Sequence, residues 1–141
     1  MIEKIYLDSN IFIWGYNFPR SNSAKILDTM IRSDTEIFVS EKVIDELRRY
    51  FCTYFTKDIF SEIQLLIVSR CIVVYNFEIQ DELKKWKNQI KKKDLEHVCI
   101  IKKFKIPILV SYDKDFKSFS EYMTPKEFIK FIGLQPSSTD Y

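Results

Sequence analysis

The sequence predicts an α/β fold, a three-layer α/β/α arrangement around a central, mostly parallel, twisted sheet. Short apolar runs at residues 4–8, 36–39, 71–75 and 108–110 alternate with segments of helical period, the pattern of parallel strands joined by crossover helices. The run at 71–75 is almost wholly apolar, as expected of a strand covered on both faces. Only two glycines occur in 141 residues, too few for the tight turns of a hairpin-rich β protein. Helices joined by polar loops fit better.

The elements follow in order. Lys4-Ile5-Tyr6-Leu7 reads as a strand that stops at Asp8-Ser9-Asn10. With no Gly or Pro intervening, Ile11–Trp14 resumes the apolar character, so a short helix over residues 10–16 starts directly from the strand end. Asn17, Phe18 and Pro19 end it. Ser21 or Ser23 caps a second helix through about Arg32, with Leu27, Met30 and Ile31 at helical spacing. A second strand at Glu36–Val39 leads to Ser40, a good N-cap. The helix after it carries Val43, Glu46, Leu47 and Tyr50 at i, i+3, i+4, i+7, which puts Glu46 on the inward face. Thr56 or Asp58 restarts a helix to about Ser69, and Cys71–Tyr75 is a third strand. Residues 78–92 read as helical and increasingly basic. Asp94 opens a helix whose inward stripe is Asp94, His97, Val98 and Ile101. Ile108-Leu109-Val110 is a fourth strand running into Ser111-Tyr112-Asp113-Lys114-Asp115-Phe116, and a short strand follows at Tyr122-Met123. Thr124-Pro125-Lys126-Glu127 is a helix start with a capping Thr, Pro at N1 and Glu at N3; Gly133 stops that helix. One domain over residues 1–134 and a loose tail, 135–141, are expected.

Charge is uneven. Residues 84–105 hold nine lysines against Asp94 and Glu96, a local +7 within a total of +2, which leaves −5 elsewhere. Such a field attracts polyanions, though a solvated lysine-rich helical face reads the same way. Arg48, Arg49, Lys91, Lys92 and Lys93 are the candidate phosphate contacts. Cys52, Cys71 and Cys99 are odd in number and lack metal-ligand spacing, so they read as small core residues of a reducing, cytoplasmic setting. No signal peptide is visible, and the apolar run at residues 63–68 is far too short to span a bilayer. The 16% aromatic content exceeds what one core needs and suggests a homodimer.

Four acids stand at strand ends or on inward stripes: Asp8, Glu46, Asp94 and Asp113. In open α/β sheets ligands bind at the carboxyl ends of the strands, where right-handed crossovers bring the first and fourth strands together. Burying carboxylates is costly unless they are paired or bind metal, and clustered acids raise one another's pKa. No cationic residue adjoins Asp8. A hard divalent ion, Mg²⁺ or Mn²⁺, would resolve the conflict and could activate water or stabilise phosphoryl charge.

This ordered set resembles the PIN-domain family, including the toxin ribonucleases of VapBC-type toxin–antitoxin pairs. The resemblance lies in Ile5-Tyr6-Leu7-Asp8-Ser9-Asn10, in Val39 to Leu47 with Glu46 as the second acid, and in Asp94-Leu95-Glu96-His97-Val98. It continues through Ile108 to Phe116, with Asp113 in a Thr-x-Asp-x-Asp-Phe-like ending, and Thr124-Pro125-Lys126-Glu127-Phe128. Ser111 stands where Thr is commoner, and Cys99-Ile100 where small residues are usual; neither change removes an acid. The resemblance implies a metal-dependent endoribonuclease in which Asp8, Glu46, Asp94 and Asp113 hold one or two Mg²⁺ or Mn²⁺ ions. Ser9 or Ser111 would orient ligands or water, Asn10 would support the site, and Asp115 would be a secondary acid or a solvated turn residue. RNA would be the substrate and, in the toxin branch, a small antitoxin the partner.

His97, the only histidine, reads as a packed core residue rather than a catalyst. Two other readings compete with the nuclease. A haloacid-dehalogenase-type phosphatase would use Asp8 as nucleophile, but that family has a second Asp where this chain has Asn10. A catalytically silent module would bind RNA or a protein partner on the same fold.

Overall fold

The computed structural model describes residues 2–141. Five strands form one sheet in the order β3-β2-β1-β4-β5, with β1 at Lys4–Leu7, β2 at Glu36–Ser40, β3 at Cys71–Val74, β4 at Leu109–Val110 and β5 at Tyr122–Met123. Every pairing is parallel: Tyr6 stands opposite Phe38 on one side of β1 and opposite Leu109 on the other. The sheet is thus wholly parallel. The chain leaves β1 to build β2 and β3 on one side, then returns to build β4 and β5 on the other. A crevice at the carboxyl ends of β1 and β4 follows from that reversal.

Among the described residues seven α-helices cover the sheet: α1 (Ser9–Asn17), α2 (Asn22–Ile31), α3 (Glu41–Tyr54), α4 (Lys57–Arg70), α5 (Gln80–Trp86), α6 (Lys92–Phe104) and α7 (Pro125–Phe131). Tyr6 and Phe38, in register on one face, meet His97 and Phe104 of α6. Ile5, Leu7, Ile37 and Val39 alternate with them and are buried on the opposite face. Helix starts are capped by side chains the sequence supplies. Ser21, Ser40, Thr56 and Thr124 accept from the N–H groups of Ala24, Val43, Ile59 and Glu127, each worth about 1 kcal/mol. Thr124 and Glu127 form the expected capping box with Pro125 behind Thr124, and Gly133 takes a φ of +82° just after α7.

Several expectations are corrected. β3 pairs only with β2, so as an edge strand it leaves Ile72 39% exposed and is not covered on both faces. Residues 78–92 are not one helix. Asn76–Ile79 is a 3₁₀ turn, α5 ends at Trp86, and no helix resumes until Lys92. Between those points only Ile90 offers an apolar anchor among polar and like-charged residues, too little to offset helix nucleation. Asp94 does not open its helix: α6 begins at Lys92, and Asp94 sits in the first turn, its N–H bonded to the Lys91 carbonyl at 2.9 Å. Cys52 is exposed on the outer side of α3, whereas Cys99 is buried and Cys71 half-buried; all three are free.

The tail, expected to be loose, has no helix or strand but is tied to fully buried Asn22. The Asn22 amide accepts from the Ser137 N–H at 2.8 Å and donates to the Thr139 carbonyl at 3.0 Å. The Asn22 N–H reaches the Tyr141 carbonyl, and the Tyr141 ring stacks on Trp14 with centroids 4.3 Å apart. A second aromatic group joins Tyr16, Tyr50, Phe51 and Phe55 between α1 and α3. Much of the aromatic excess is therefore used within one copy of the chain. No helix among the described residues is long and apolar enough to cross a membrane.

Candidate active site

Asp8 is the first residue after β1 and the N-cap of α1. Its backbone is still extended, and its Oδ1 accepts the Ser9 N–H at 2.7 Å. Its other oxygen, Oδ2, accepts from the Ser111 hydroxyl at 2.7 Å and from the Asn10 amide at 3.4 Å. Ser111 comes from the end of β4, the strand paired with β1, so the sheet itself brings these groups together. Ser111 Oγ also accepts from the Asp113 N–H at 3.0 Å and the Asn10 amide at 3.2 Å, while Asn10 Oδ1 accepts from the Tyr112 N–H at 3.1 Å. The Asp-Ser-Asn stretch and the Ser-Tyr-Asp stretch thus form one polar lattice, with Asp8 only 6% exposed inside it. Asn10 contributes an amide donor to that lattice and not a second acid.

Glu46 arrives from α3. Its stripe neighbours Val43 and Leu47 are fully buried, and they turn the carboxylate inward. Glu46 Oε1 is buried and has no hydrogen-bond partner. Burial, and then the charge of Asp8, raise the Glu46 carboxyl above the usual range. An unpartnered buried carboxylate oxygen beside a second acid is costly, and the feature is hard to account for as packing alone.

Asp94 and Asp113 stand at the edge of this group. Asp94 is 5% exposed on α6, and burial raises its carboxyl, opposed by Lys93 and assisted by Asp113. Asp113 is half-buried. It caps the 3₁₀ turn Lys114–Phe116 by accepting the Asp115 N–H at 2.9 Å, and it lies 3.8 Å from Lys93 Nζ. Asp115 is exposed and paired with Lys93. The tight group of ligand atoms, all within 4.8 Å of one another, comprises Asp8, Glu46 and His97; Asp94 and Asp113 lie outside it.

His97, read from the sequence as a packed core residue, is packed in the core and also stands with the acids. It is 3% exposed, with Nδ1 hydrogen-bonded to the Tyr6 hydroxyl and Nε2 3.7 Å from Asp8 Oδ1. Burial lowers its pKa even though Asp8, Asp94 and Asp113 all pull it upward. Three of the four candidate acids act on this one imidazole. Its position three residues after Asp94, on the same inward stripe, was the available signal. A single histidine on an apolar face gives no means of telling a ligand from a core residue.

The basic candidates divide. Arg49, Lys92 and Lys93 line a surface groove with Lys42, between α3 and the start of α6, where Glu41, Asp45 and Glu96 also lie. Arg48 is committed to Asp45 at 2.7 Å and to the face of Phe60, and Lys91 is exposed at the start of α6. Lys102 and Lys103 pair with Glu121 and Glu82, so part of the basic run is neutralised locally.

A family model described as PIN domain matches residues 5–122. Among solved structures, "Crystal structure of VapBC2 from Rickettsia felis bound to a DNA fragment from their promoter" contains a similar chain. The TM-score is 0.59 at 19% identity, and the match covers 86% of this chain and 96% of that chain. No curated protein sequence matches significantly. At that identity the structural likeness concerns the fold.

Proposed function

Because this chain belongs to the PIN-domain family, we propose that it is a metal-dependent endoribonuclease hydrolysing RNA phosphodiesters. The observation that carries the reading is the buried, partnerless Glu46 Oε1 beside Asp8, at the carboxyl edge of a parallel sheet. The donors are hard carboxylate oxygens, one of them buried without a partner, which fits Mg²⁺ or Mn²⁺. Asp8 and Glu46 would hold one such ion, and Asp94 and Asp113 would contribute to it or to a second. A divalent ion there supplies positive charge to the phosphoryl group and makes water more acidic.

The chain's own residues do the rest. Ser111, Asn10 and the Ser9 N–H fix both oxygens of Asp8, so the acid does not rotate when a substrate arrives. Lys42, Arg49 and Lys92 line the adjoining groove and would take the RNA backbone. Asp8→Asn, assayed on RNA with Mn²⁺ or Mg²⁺, is expected to lose about 10³-fold in rate, on the order of 4 kcal/mol. A chelator should silence the wild type. Cleavage persisting in either case overturns the reading, and binding of RNA without turnover at any Mn²⁺ concentration points to the silent module.

A protein partner belongs to the same proposal. The similar chain is part of a complex named VapBC2, and this chain has an apolar groove between α1, α2 and α4 lined by Phe12, Tyr16, Leu27, Ile63 and Leu66. A small antitoxin encoded beside this chain should co-purify with it and suppress cleavage. Homodimerisation is tested by sedimentation of the isolated protein. A reducing, cytoplasmic setting rests on the odd, scattered cysteines.

A further inference from the structure

The metal reading leaves one group without a task. The Tyr6–His97 pair lies beneath the acids and fixes an imidazole nitrogen among them. His97 Nδ1 is engaged by the Tyr6 hydroxyl, and the ring is held edge-on by Tyr6 on one side and Phe116 on the other, with centroids at 5.4 and 5.8 Å. Those contacts leave the ring little freedom to rotate. They also direct Nε2 toward Asp8 Oδ1 at 3.7 Å, beyond hydrogen-bond reach but within the span of two ligands sharing one cation. Glu46 completes the group, each of the three residues offering an atom within 4.8 Å of the others. The Tyr6 hydrogen bond accounts for Nδ1 but not for Nε2, and a hydrogen bond from Nε2 to Asp8 would require a shorter approach.

We propose that His97 Nε2 is a direct cation ligand alongside Asp8 and Glu46, and that this nitrogen makes the site select Mn²⁺ over Mg²⁺. The inference rests on the metal reading above and adds the ligand and the selectivity. Mg²⁺ takes oxygen ligands almost exclusively and keeps its waters, whereas first-row transition-metal ions accept imidazole, so adding a nitrogen donor to the two carboxylates disfavours Mg²⁺ relative to Mn²⁺. Ligating histidines commonly donate their second ring N–H to a nearby acceptor, which fixes tautomer and orientation. Here Nδ1–H would donate to the Tyr6 oxygen, leaving the Nε2 lone pair facing the acids. Tyr6 is therefore a positioning residue that acts through His97.

The chain contains one histidine, so a magnetic signal from imidazole nitrogen has a single assignment. Untagged wild-type protein loaded with Mn²⁺ alone, studied by pulsed electron paramagnetic resonance, should show coupling to a directly bound ¹⁴N. His97→Gln should lose that coupling, and its preference for Mn²⁺ over Mg²⁺ in calorimetric titrations should fall about tenfold. Tyr6→Phe should keep the coupling but broaden it as the ring loosens. Bound Mn²⁺ without nitrogen coupling in the wild type, or coupling that survives in His97→Gln, overturns the assignment of His97. Failure of the wild type to bind Mn²⁺ at all overturns the metal reading itself. The wild-type spectrum decides the matter even where a variant fails to fold.

Discussion

The Ser111 hydroxyl donates a 2.7 Å hydrogen bond to Asp8 Oδ2 across 103 positions of sequence, and this bond joins the carboxyl ends of two paired parallel strands. Ser111 also receives the Asp113 N–H, so one small side chain sets the orientation of one acid and the position of another. Ser111→Ala is expected to weaken Mn²⁺ binding about 10- to 100-fold, the usual effect of removing a group that orients a ligand. Ser111→Thr, which keeps the hydroxyl, should retain most of the affinity. Calorimetric titration with Mn²⁺, alongside circular dichroism to verify folding, makes the comparison.

Glu46 and Asp94 predict an inverted pH dependence of stability in the metal-free protein. Both carboxyls are raised on folding, chiefly by burial. A group raised in this way binds its proton more tightly folded than unfolded. Its contribution is present at low pH and is lost as pH rises from its ordinary value, 4.5 for Glu46 and 3.8 for Asp94, through the raised one. Asp115, held low by Lys93, has the opposite sign but acts only below the ordinary aspartate range. These two acids should therefore give the melting temperature of the metal-free protein a downward slope as pH rises above about 4.5, opposed below pH 6.5 by His97, whose lowered pKa adds stability as pH rises. Glu46→Gln should flatten that slope and raise the melting temperature at pH 8 by a few degrees. A Glu46→Gln protein less stable than wild type at pH 8 without metal would contradict this account.

The groove cations predict a salt effect. Each phosphate contact to single-stranded nucleic acid contributes about 0.7 to the slope of log affinity against log salt. Arg49→Ala combined with Lys92→Ala should therefore reduce the slope for RNA by about 1.4. Arg48→Ala should leave it unchanged, because that guanidinium is held by Asp45 and Phe60. Fluorescence anisotropy with a labelled RNA and the Asp8→Asn protein measures binding without turnover.

Away from the site, Arg70 predicts a purely structural loss. Its guanidinium donates to the carbonyls of Ile31 at 2.9 Å, Met30 at 3.0 Å, Thr35 at 3.1 Å and also Ser33. It thereby closes the end of α2 and the loop into β2. Arg70→Ala should cost about 2 kcal/mol by removing a charged donor from these carbonyls, of which Met30 alone is shown to keep another, the Ser33 N–H and hydroxyl, and Arg70→Lys should recover only part of it because an ammonium lacks the planar fork. Urea unfolding gives the loss directly, with cleavage per folded molecule unchanged.

Local chemistry made much of this chain legible in advance. Ser40 and the Thr124–Glu127 box are short-range signals, read within four residues of sequence, and their helices begin where those residues require. Glu46 was assigned inward from helical spacing, which depends only on the 3.6-residue turn. Spacing failed where local pattern and tertiary environment diverge. An apolar run at 71–75 looks the same whether its strand lies at the centre or the edge of a sheet, and only the strand order exposes Ile72.

The alternation of strands and helices, their caps, and the acids at strand ends or on inward stripes are local properties of the chain. These follow from backbone periodicity and nearest-neighbour chemistry. That Asp8, Glu46 and His97 form the tight group while Asp94 and Asp113 border it, and that Asn22 holds the tail, emerges from folding alone. Those relations are distances between residues far apart in the chain. They depend on how β1 and β4 pair and how α3 and α6 pack, quantities that no local window of sequence contains.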